Sequence, residues 1–234
     1  RMISVAIMQP TYLPWIGYFG LIDHVDEFIF LDTVQFSKRS WQQRNQIKTS
    51  AGATWLSVPV HSKGVRDQTV KNVSIVYDGS YPSKHIRAIE IAYSKTPYFS
   101  QYANELFAIL TRTYSQLAEL TIDLIDWFCD ILGISTPLKR SSELDVQGSK
   151  ADLLADICRV FDADLYISPP GSKDYMDESD AFEKLGISVS YFNFIHPEYY
   201  QIGSDYLPYM SVIDLLFNMG SKSLEVIRSG YKVN

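Results

Sequence analysis

Apolar residues fall into short unbroken runs towards both ends of the chain and into three- and four-residue spacings through its middle. Ser4–Met8 and Phe28–Leu31 are continuous apolar runs of the kind that parallel sheets bury on both faces. Between them Ile16, Phe19, Leu21, Ile22 and Val25 recur at helical spacing over Trp15–Val25. Pro10 and Pro14 interrupt regular structure just before that helix, so the opening unit is strand, loop, helix, strand. Trp55–Val60 predicts a strand closed by Pro59, and the alternation in Val70–Val76 predicts a half-exposed one. Tyr81-Pro82-Ser83 precedes a helix through Tyr93, and further helices follow over Tyr98–Thr113 and Ser115–Leu132. In the last of these Leu117, Leu120, Leu124, Trp127, Phe128 and Ile131 share one face, and Gly133 ends it. Pro137–Ser149 reads as a linker. A helix at Lys150–Phe161, a strand at Leu165–Ser168 and a turn at Pro169–Lys173 come next. A short helix at Phe182–Leu185 is closed by Gly186, and Val189–Phe194 is a further strand. Two short helices, Ser211–Asn218 and Ser221–Arg228, have Ser211 and Ser221 as N-caps and Gly220 between them. The alternation predicts an α/β fold with a mainly parallel, Rossmann-like sheet and a helical middle segment. One domain over 1–234, with a helical subdomain at 81–136, is expected.

Composition narrows the class. The 234 residues are 46% hydrophobic, 21% charged and 14% aromatic, with 16 tyrosines, which excludes a disordered or low-complexity chain. A net charge of −6 argues against non-specific binding of nucleic acid, which needs a basic surface. No apolar stretch approaches the roughly 20 residues of a membrane span, and the first residues do not have the pattern of a secretory leader. A cytoplasmic protein is expected. Cys129 and Cys158 lie in apolar helical segments and read as structural thiols. No metal-ligand spacing, nucleophile elbow or Walker loop is present, so metal ligands are expected to be none.

Three segments carry polar and aromatic residues that a core does not need. In Thr33–Lys48 the cations Lys38, Arg39, Arg44 and Lys48 are interleaved with Gln35, Trp41 and Asn45. If helical, Trp41, Arg44, Asn45 and Lys48 share a face; if extended, Arg39 and Trp41 do. Either way an aromatic platform lies beside cations and amides, suited to a phosphate or carboxylate and to stacking on a base or sugar. The loop after the first strand offers Gln9, Tyr12, Trp15 and Tyr18 at the carboxyl end of a parallel sheet, where ligands bind, with the following helix N-terminus favouring anions. Its position resembles the first-strand loop of the nucleotide-binding HUP superfamily, although that family's His-x-Gly-His signature is absent. The third segment comprises the Gly171-Ser172-Lys173 turn with Tyr175, then His196, Tyr199 and Gln201, then Asp214 and Asn218. His196 suits a general base or a structural lock on the Pro197 turn.

Together these residues resemble the WbqC-like family, bacterial proteins found among genes for O-antigen and other surface polysaccharides. The resemblance runs through Gln9-Pro-Thr-Tyr-Leu-Pro-Trp-Ile-Gly-Tyr-Phe19, Asp32-Thr-Val-Gln-Phe-Ser-Lys-Arg-Ser-Trp-Gln-Gln-Arg-Asn-Gln-Ile-Lys48 and Trp55-Leu-Ser-Val-Pro-Val60. It continues through Tyr166-Ile-Ser168, Tyr175, His196-Pro-Glu-Tyr-Tyr-Gln201 and Ser211–Gly220. Gln43 stands where the family usually has Asn, and Pro169 where glycine is common. The resemblance implies work on a nucleotide-linked or lipid-linked sugar, as transfer of an acyl or aminoacyl group to an amino sugar. The donor is then a coenzyme A thioester, an acyl carrier protein or a nucleotide-activated group. Lys38, Arg39 and Arg44 hold a phosphate or carboxylate, Trp41 and Tyr12 stack, and His196 or Asp32 removes the amine proton. The alternatives are a HUP-like nucleotide-dependent ligase or nucleotidyltransferase, with phosphates at the first loop and at Lys173, and a non-enzymatic sugar-binding or assembly protein.

Overall fold

The computed structural model describes residues 1–62, 66–169 and 179–232. In chain order its main elements are β1 (Ser4–Met8), α1 (Ile16–His24), β2 (Glu27–Phe30), β3 (Arg44–Thr49), β4 (Gly52–Ser57), α2 (Ser83–Tyr93), α3 (Phe99–Leu110) and α4 (Leu117–Leu132). These are followed by β5 (Leu138–Arg140), α5 (Lys150–Val160), β6 (Leu165–Ser168), α6 (Ala181–Lys184), β7 (Ser188–Tyr191), α7 (Val212–Met219) and α8 (Ser223–Ser229). The fold is α/β, built on a five-stranded sheet in the order β5-β2-β1-β6-β7 whose pairings are all parallel. Strands β3 and β4 form a separate antiparallel hairpin.

Both faces of the sheet are covered, which is why its central strands read as unbroken apolar runs. Ala6, Phe28, Phe30 and Ile167 point to one side, into a core that includes α1 and the helices of the middle segment. Phe19 meets Phe128 of α4 edge-on, with ring centres 5.7 Å apart. Val5, Ile7, Ile29 and Tyr166 point to the other side, against α5 and α6, where Tyr166 stacks on Phe182. Cys129 and Cys158 are buried in these two cores, and burial pushes both thiols up. Among the described residues no helix is long and apolar enough to cross a membrane.

Four expectations need correction. Pro137–Ser149 is no linker, because Leu138–Arg140 pairs with Phe28–Phe30 and forms the sheet's edge. Val70–Val76 alternates buried and exposed as predicted, yet only Val70–Asn72 is regular, as one 3-10 turn. Its backbone groups go to separate partners instead: Val70 N–H to Val34 O, Lys71 N–H to Asp32 O, and Val73 O to Leu117 N–H. The Trp55 strand begins earlier, at Gly52, because it follows β3 back from a tight turn in which Gly52 has φ +98°. Ser221 lies in a 3-10 turn, Gly220–Lys222, and does not cap α8, whereas Ser211 caps α7 by accepting from the Ile213 N–H.

The sheet order has a consequence for ligand binding. From β1 the chain builds outwards through β2 and β5 on one side, then crosses to β6 and β7 on the other. The carboxyl end of β1 is therefore the switch point where open parallel sheets place their ligands.

Candidate functional site

Three irregular segments meet at that switch point and hold one another by backbone hydrogen bonds. The loop after β1 receives the hairpin's approach: Tyr12 N–H donates to Trp41 O at 2.9 Å, and the Asn45 side-chain amide donates to Tyr12 O at 3.2 Å. The loop before α7 closes on both, with Val212 N–H donating to Pro14 O at 2.7 Å and Ser211 N–H to Gln46 O at 2.8 Å. The two glutamine side chains Gln9 and Gln42 are hydrogen-bonded to each other, and Tyr18 O–H donates to Gln9 O. Beside Met8 this junction leaves a cavity of about 300 Å³, walled by Trp15 and Tyr18, by Trp41 and Asn45, and by Tyr209. Trp15 and Tyr18 come from the first-loop segment singled out in the sequence and Trp41 and Asn45 from the cationic one, while the C-terminal part contributes only Tyr209, a residue not singled out, and the walls are mainly aromatic.

Trp15 is the hub of that wall. Its indole lies against Gly17, where an added Cβ would fall inside the ring, so the glycine is required by close approach. The same ring meets Phe194 edge-on, lies nearly parallel to His196 and is tilted towards Tyr209. The indole therefore covers the first turn of α1, the place the sequence offered to an anion.

His196 has both ring nitrogens engaged. Nε2 accepts the Tyr209 N–H at 3.0 Å, which leaves Nδ1–H to donate to Pro197 O at 2.8 Å. Burial lowers its pKa, outweighing the Pro197 bond. A neutral imidazole in one tautomer, with no nitrogen open to a substrate, acts here as a lock on the loop that carries Tyr209.

The cationic segment is divided by its turn. Arg44 lies on Trp55, its guanidinium carbon 4.1 Å from the ring centre, and the Trp55 and Trp41 rings are 5.4 Å apart. Both indoles are well exposed, at 42% and 53%. Lys38 and Arg39 line a different groove with Gln43, Pro59 and Val60. Gln35 is exposed and bridges Thr69 through its backbone. Lys173 and Tyr175, with the Gly171-Ser172-Lys173 turn, lie outside the described residues.

Several residues expected to touch ligand are instead the frame beneath the pocket. Tyr12 is fully buried and cannot stack on a ligand. Its hydroxyl donates to His85 Nδ1 at 2.7 Å, while His85 Nε2–H donates to Ser57 O at 2.9 Å. Burial drives the His85 pKa down to about 4. Asp214, also fully buried, accepts from Tyr93 at 2.8 Å, Tyr199 at 2.6 Å and Gln201 at 2.7 Å. Burial raises its pKa despite those three donors. Asn218 ties Asp214 O to the Ile202 N–H, and Gln201 holds both backbone groups of Leu207. Tyr199, Gln201, Asp214 and Asn218 thus fix the course of the 199–211 loop.

Asp32 has a similar role at the sheet edge. It is buried and accepts from Arg140 Nε at 2.8 Å, Ser141 Oγ at 2.9 Å, and both the N–H and Oγ of Ser142. Burial pushes its pKa up, but the Ser142, Arg140 and Ser141 bonds outweigh that and hold it below the usual carboxylate range. Its oxygens are saturated by the turn after β5. Sequence reasoning missed Trp55, Tyr209, His85 and Tyr93. Only Trp55 left a signal, as an aromatic in an exposed register opposite the polar β3.

The Rossmann-like sheet carries an aromatic, partly exposed pocket at its switch point, concave and mostly apolar with few polar groups around it, the general form of small-molecule sites in α/β folds. The family model of the WbqC-like protein family matches residues 9–226, and the chain belongs to that family. It is 39% identical over 230 residues to an uncharacterized protein of Mycobacterium tuberculosis, covering 97% of this chain and 98% of that one. No solved structure matches it.

Proposed function

We propose that the protein is a transferase of bacterial surface-polysaccharide biosynthesis, placing an acyl or aminoacyl group on an amino sugar carried by a nucleotide or a lipid. The observation that carries this reading is the 300 Å³ pocket at the switch point with Trp15, Tyr18, Trp41 and Tyr209 around it. Aromatic faces suit the apolar C–H face of a sugar ring, and a half-exposed mouth leaves room for the carrier. The sugar amine forms the new C–N bond as the donor's C–S bond to coenzyme A or an acyl carrier protein breaks, and the amine proton leaves with the thiol. Arg44 meets the carrier phosphate, while Lys38 and Arg39 lie in a neighbouring groove. Of the two residues nominated for proton removal, His196 holds the Tyr209 wall and Asp32 ties the end of β2 to the turn after β5, and the acceptor atoms of both are engaged. The ligase alternative asks for a phosphate at the head of α1, where Trp15 lies over Gly17.

The test is incubation with nucleotide-linked amino sugars and acyl coenzyme A, with product mass read directly and binding read by thermal shift. A ligand at about 100 times its dissociation constant adds roughly 2.7 kcal/mol of stability. The expected result is a mass increase of one acyl group, with sugar binding weakened about fivefold in Trp41→Ala, as for loss of an aromatic contact worth on the order of 1 kcal/mol. Binding without turnover by any donor would assign a sugar-binding protein instead. Stabilisation by ATP with magnesium, accompanied by pyrophosphate release, would assign a ligase.

A further inference from the structure

Trp55 touches two residues of the candidate site while standing outside the pocket itself. Its ring is 5.4 Å from that of Trp41, and the Arg44 guanidinium lies over it at 4.1 Å. The hairpin register brings this about. Arg44 pairs with Ser57 and Gln46 with Trp55, so Arg44 and Trp55 are diagonal neighbours on the outward face, within reach of long side chains. The intervening Asn45, Ile47 and Leu56 are buried on the other face. Among the described residues Arg44 has no ion pair and no side-chain hydrogen bond.

A guanidinium laid on an indole keeps its N–H donors at the edge of the stack, and these donors meet a phosphate two at a time. Resting on the ring also restricts the long side chain before a ligand arrives, which lowers the ordering cost of binding. Trp41 is at once a wall of the pocket and a neighbour of Trp55, so the donor edge is tied to the pocket. Lys38 and Arg39 line a separate groove and do not share this position.

We infer that Arg44 and Trp55 form an anion subsite adjoining the aromatic pocket, and that the pocket's ligand is a sugar carrying a phosphate on its ring. That phosphate belongs to a simple sugar phosphate or to the sugar end of a nucleoside or lipid diphosphate. Trp55 is a positioning residue, acting through Arg44 and Trp41. The inference rests on the pocket being a sugar site.

The experiment compares glucosamine with glucosamine 1-phosphate by calorimetric titration, with a uridine-diphosphate-linked amino sugar as a third probe. The proteins are the wild type and the Arg44→Gln, Trp55→Ala and Trp55→Phe variants, each checked by thermal unfolding. The wild type is expected to prefer the phosphorylated sugar by about tenfold to a hundredfold, the range for a hydrogen bond to a charged group. Arg44→Gln abolishes that preference while leaving glucosamine affinity unchanged. Trp55→Ala reduces the ratio and Trp55→Phe restores it, a pattern that simple destabilisation does not produce. The diphosphate probe binding more tightly than glucosamine 1-phosphate assigns the phosphate to a nucleotide carrier; equal binding leaves the sugar phosphate as the recognised unit. Equal affinity for the two simple sugars, a preference that survives in Arg44→Gln, or a ratio left undiminished in Trp55→Ala overturns the subsite alone. Failure of every sugar to bind overturns the sugar reading of the pocket along with it.

Discussion

His85 is a titratable group buried as the neutral species at the joint between the first loop, α2 and β4. Burial lowers its pKa from 6.5 to about 4. The unfolded chain therefore takes up a proton at this position from pH 6.5 downwards, whereas the folded chain does so only near pH 4. Between those values the unfolded state binds more protons, so stability falls as pH falls, and the loss is complete below pH 4. A drop from 6.5 to about 4 at about 1.36 kcal/mol per pH unit amounts to about 3 kcal/mol. The perturbation is His85→Gln, which cannot titrate in this range, and the assay is urea unfolding of both proteins at pH 7.5, 6.5, 5.5 and 4.5. At neutral pH the variant is less stable, because the Tyr12 and Ser57 bonds are disturbed. By pH 4.5 the wild type's advantage should have shrunk by about 2.5 kcal/mol. His24 and His196 also have lowered pKa values, mainly through burial, but they are present in both proteins and cancel in the difference. Asp32 and Asp23, whose pKa values are lowered, act below this window and cancel too. Stability curves that stay parallel from pH 7.5 to 4.5 would refute the buried neutral imidazole and the Tyr12 clamp built on it.

Two further substitutions probe the frame of the pocket. Gly17→Ala places a methyl where the Trp15 indole lies; it should cost roughly 1–3 kcal/mol by overpacking and shift the tryptophan emission as the ring is displaced, and an unchanged spectrum with unchanged stability would show that Trp15 does not rest there. Tyr199→Phe removes the 2.6 Å donor to buried Asp214 and should cost roughly 1.5–3 kcal/mol in urea unfolding, as for a hydrogen bond to a charged group; a loss under about 0.5 kcal/mol would mean that Asp214 is held by its other partners alone.

What the sequence revealed follows from how each element is buried. β1, β2 and β6 are covered on both faces, and an apolar run is the only pattern that satisfies such a position, so they were legible. β5 was not, because an edge strand of three residues has little to bury: Leu138 packs inwards, Lys139 faces solvent and Arg140 turns to Asp32. The β3 sequence suits helix and strand alike, since Ile47 is its only apolar residue and its pairing is set by β4 and Ser211. In Val70–Val76 the alternation correctly gave burial and overstated the strand, because Ser74 and Ile75 make only single antiparallel bridges, to Gln116 and Val60, and no ladder extends from them. The site shows the same division. Aromatic and polar residues outside the regular pattern marked the region, but a sequence does not distinguish an aromatic that faces a ligand from one that closes the core. Tyr12 and Trp41 looked alike, and only the fold puts one beneath the pocket and the other at its mouth.

The buried polar residues of the C-terminal block were the hardest to interpret, and their placement says the most about how the pocket works. A low-dielectric interior makes an unpaired polar group costly and a fully paired network rigid. Asp214, Tyr93, Tyr199, Gln201 and Asn218 are such a network, and it fixes a loop that has no regular structure of its own. His196 then pins Tyr209 from that loop by a backbone bond, and Tyr12 with His85 pins the opposite wall. The aromatic walls therefore stand in place before any ligand arrives, although they come from three segments distant in sequence. A pocket held in this way spends little of its ligand's binding energy on ordering the protein. On the proposed function, specificity is then left to the parts that remain exposed, the Trp41 face, the Tyr209 ring and the Arg44 donor edge on Trp55.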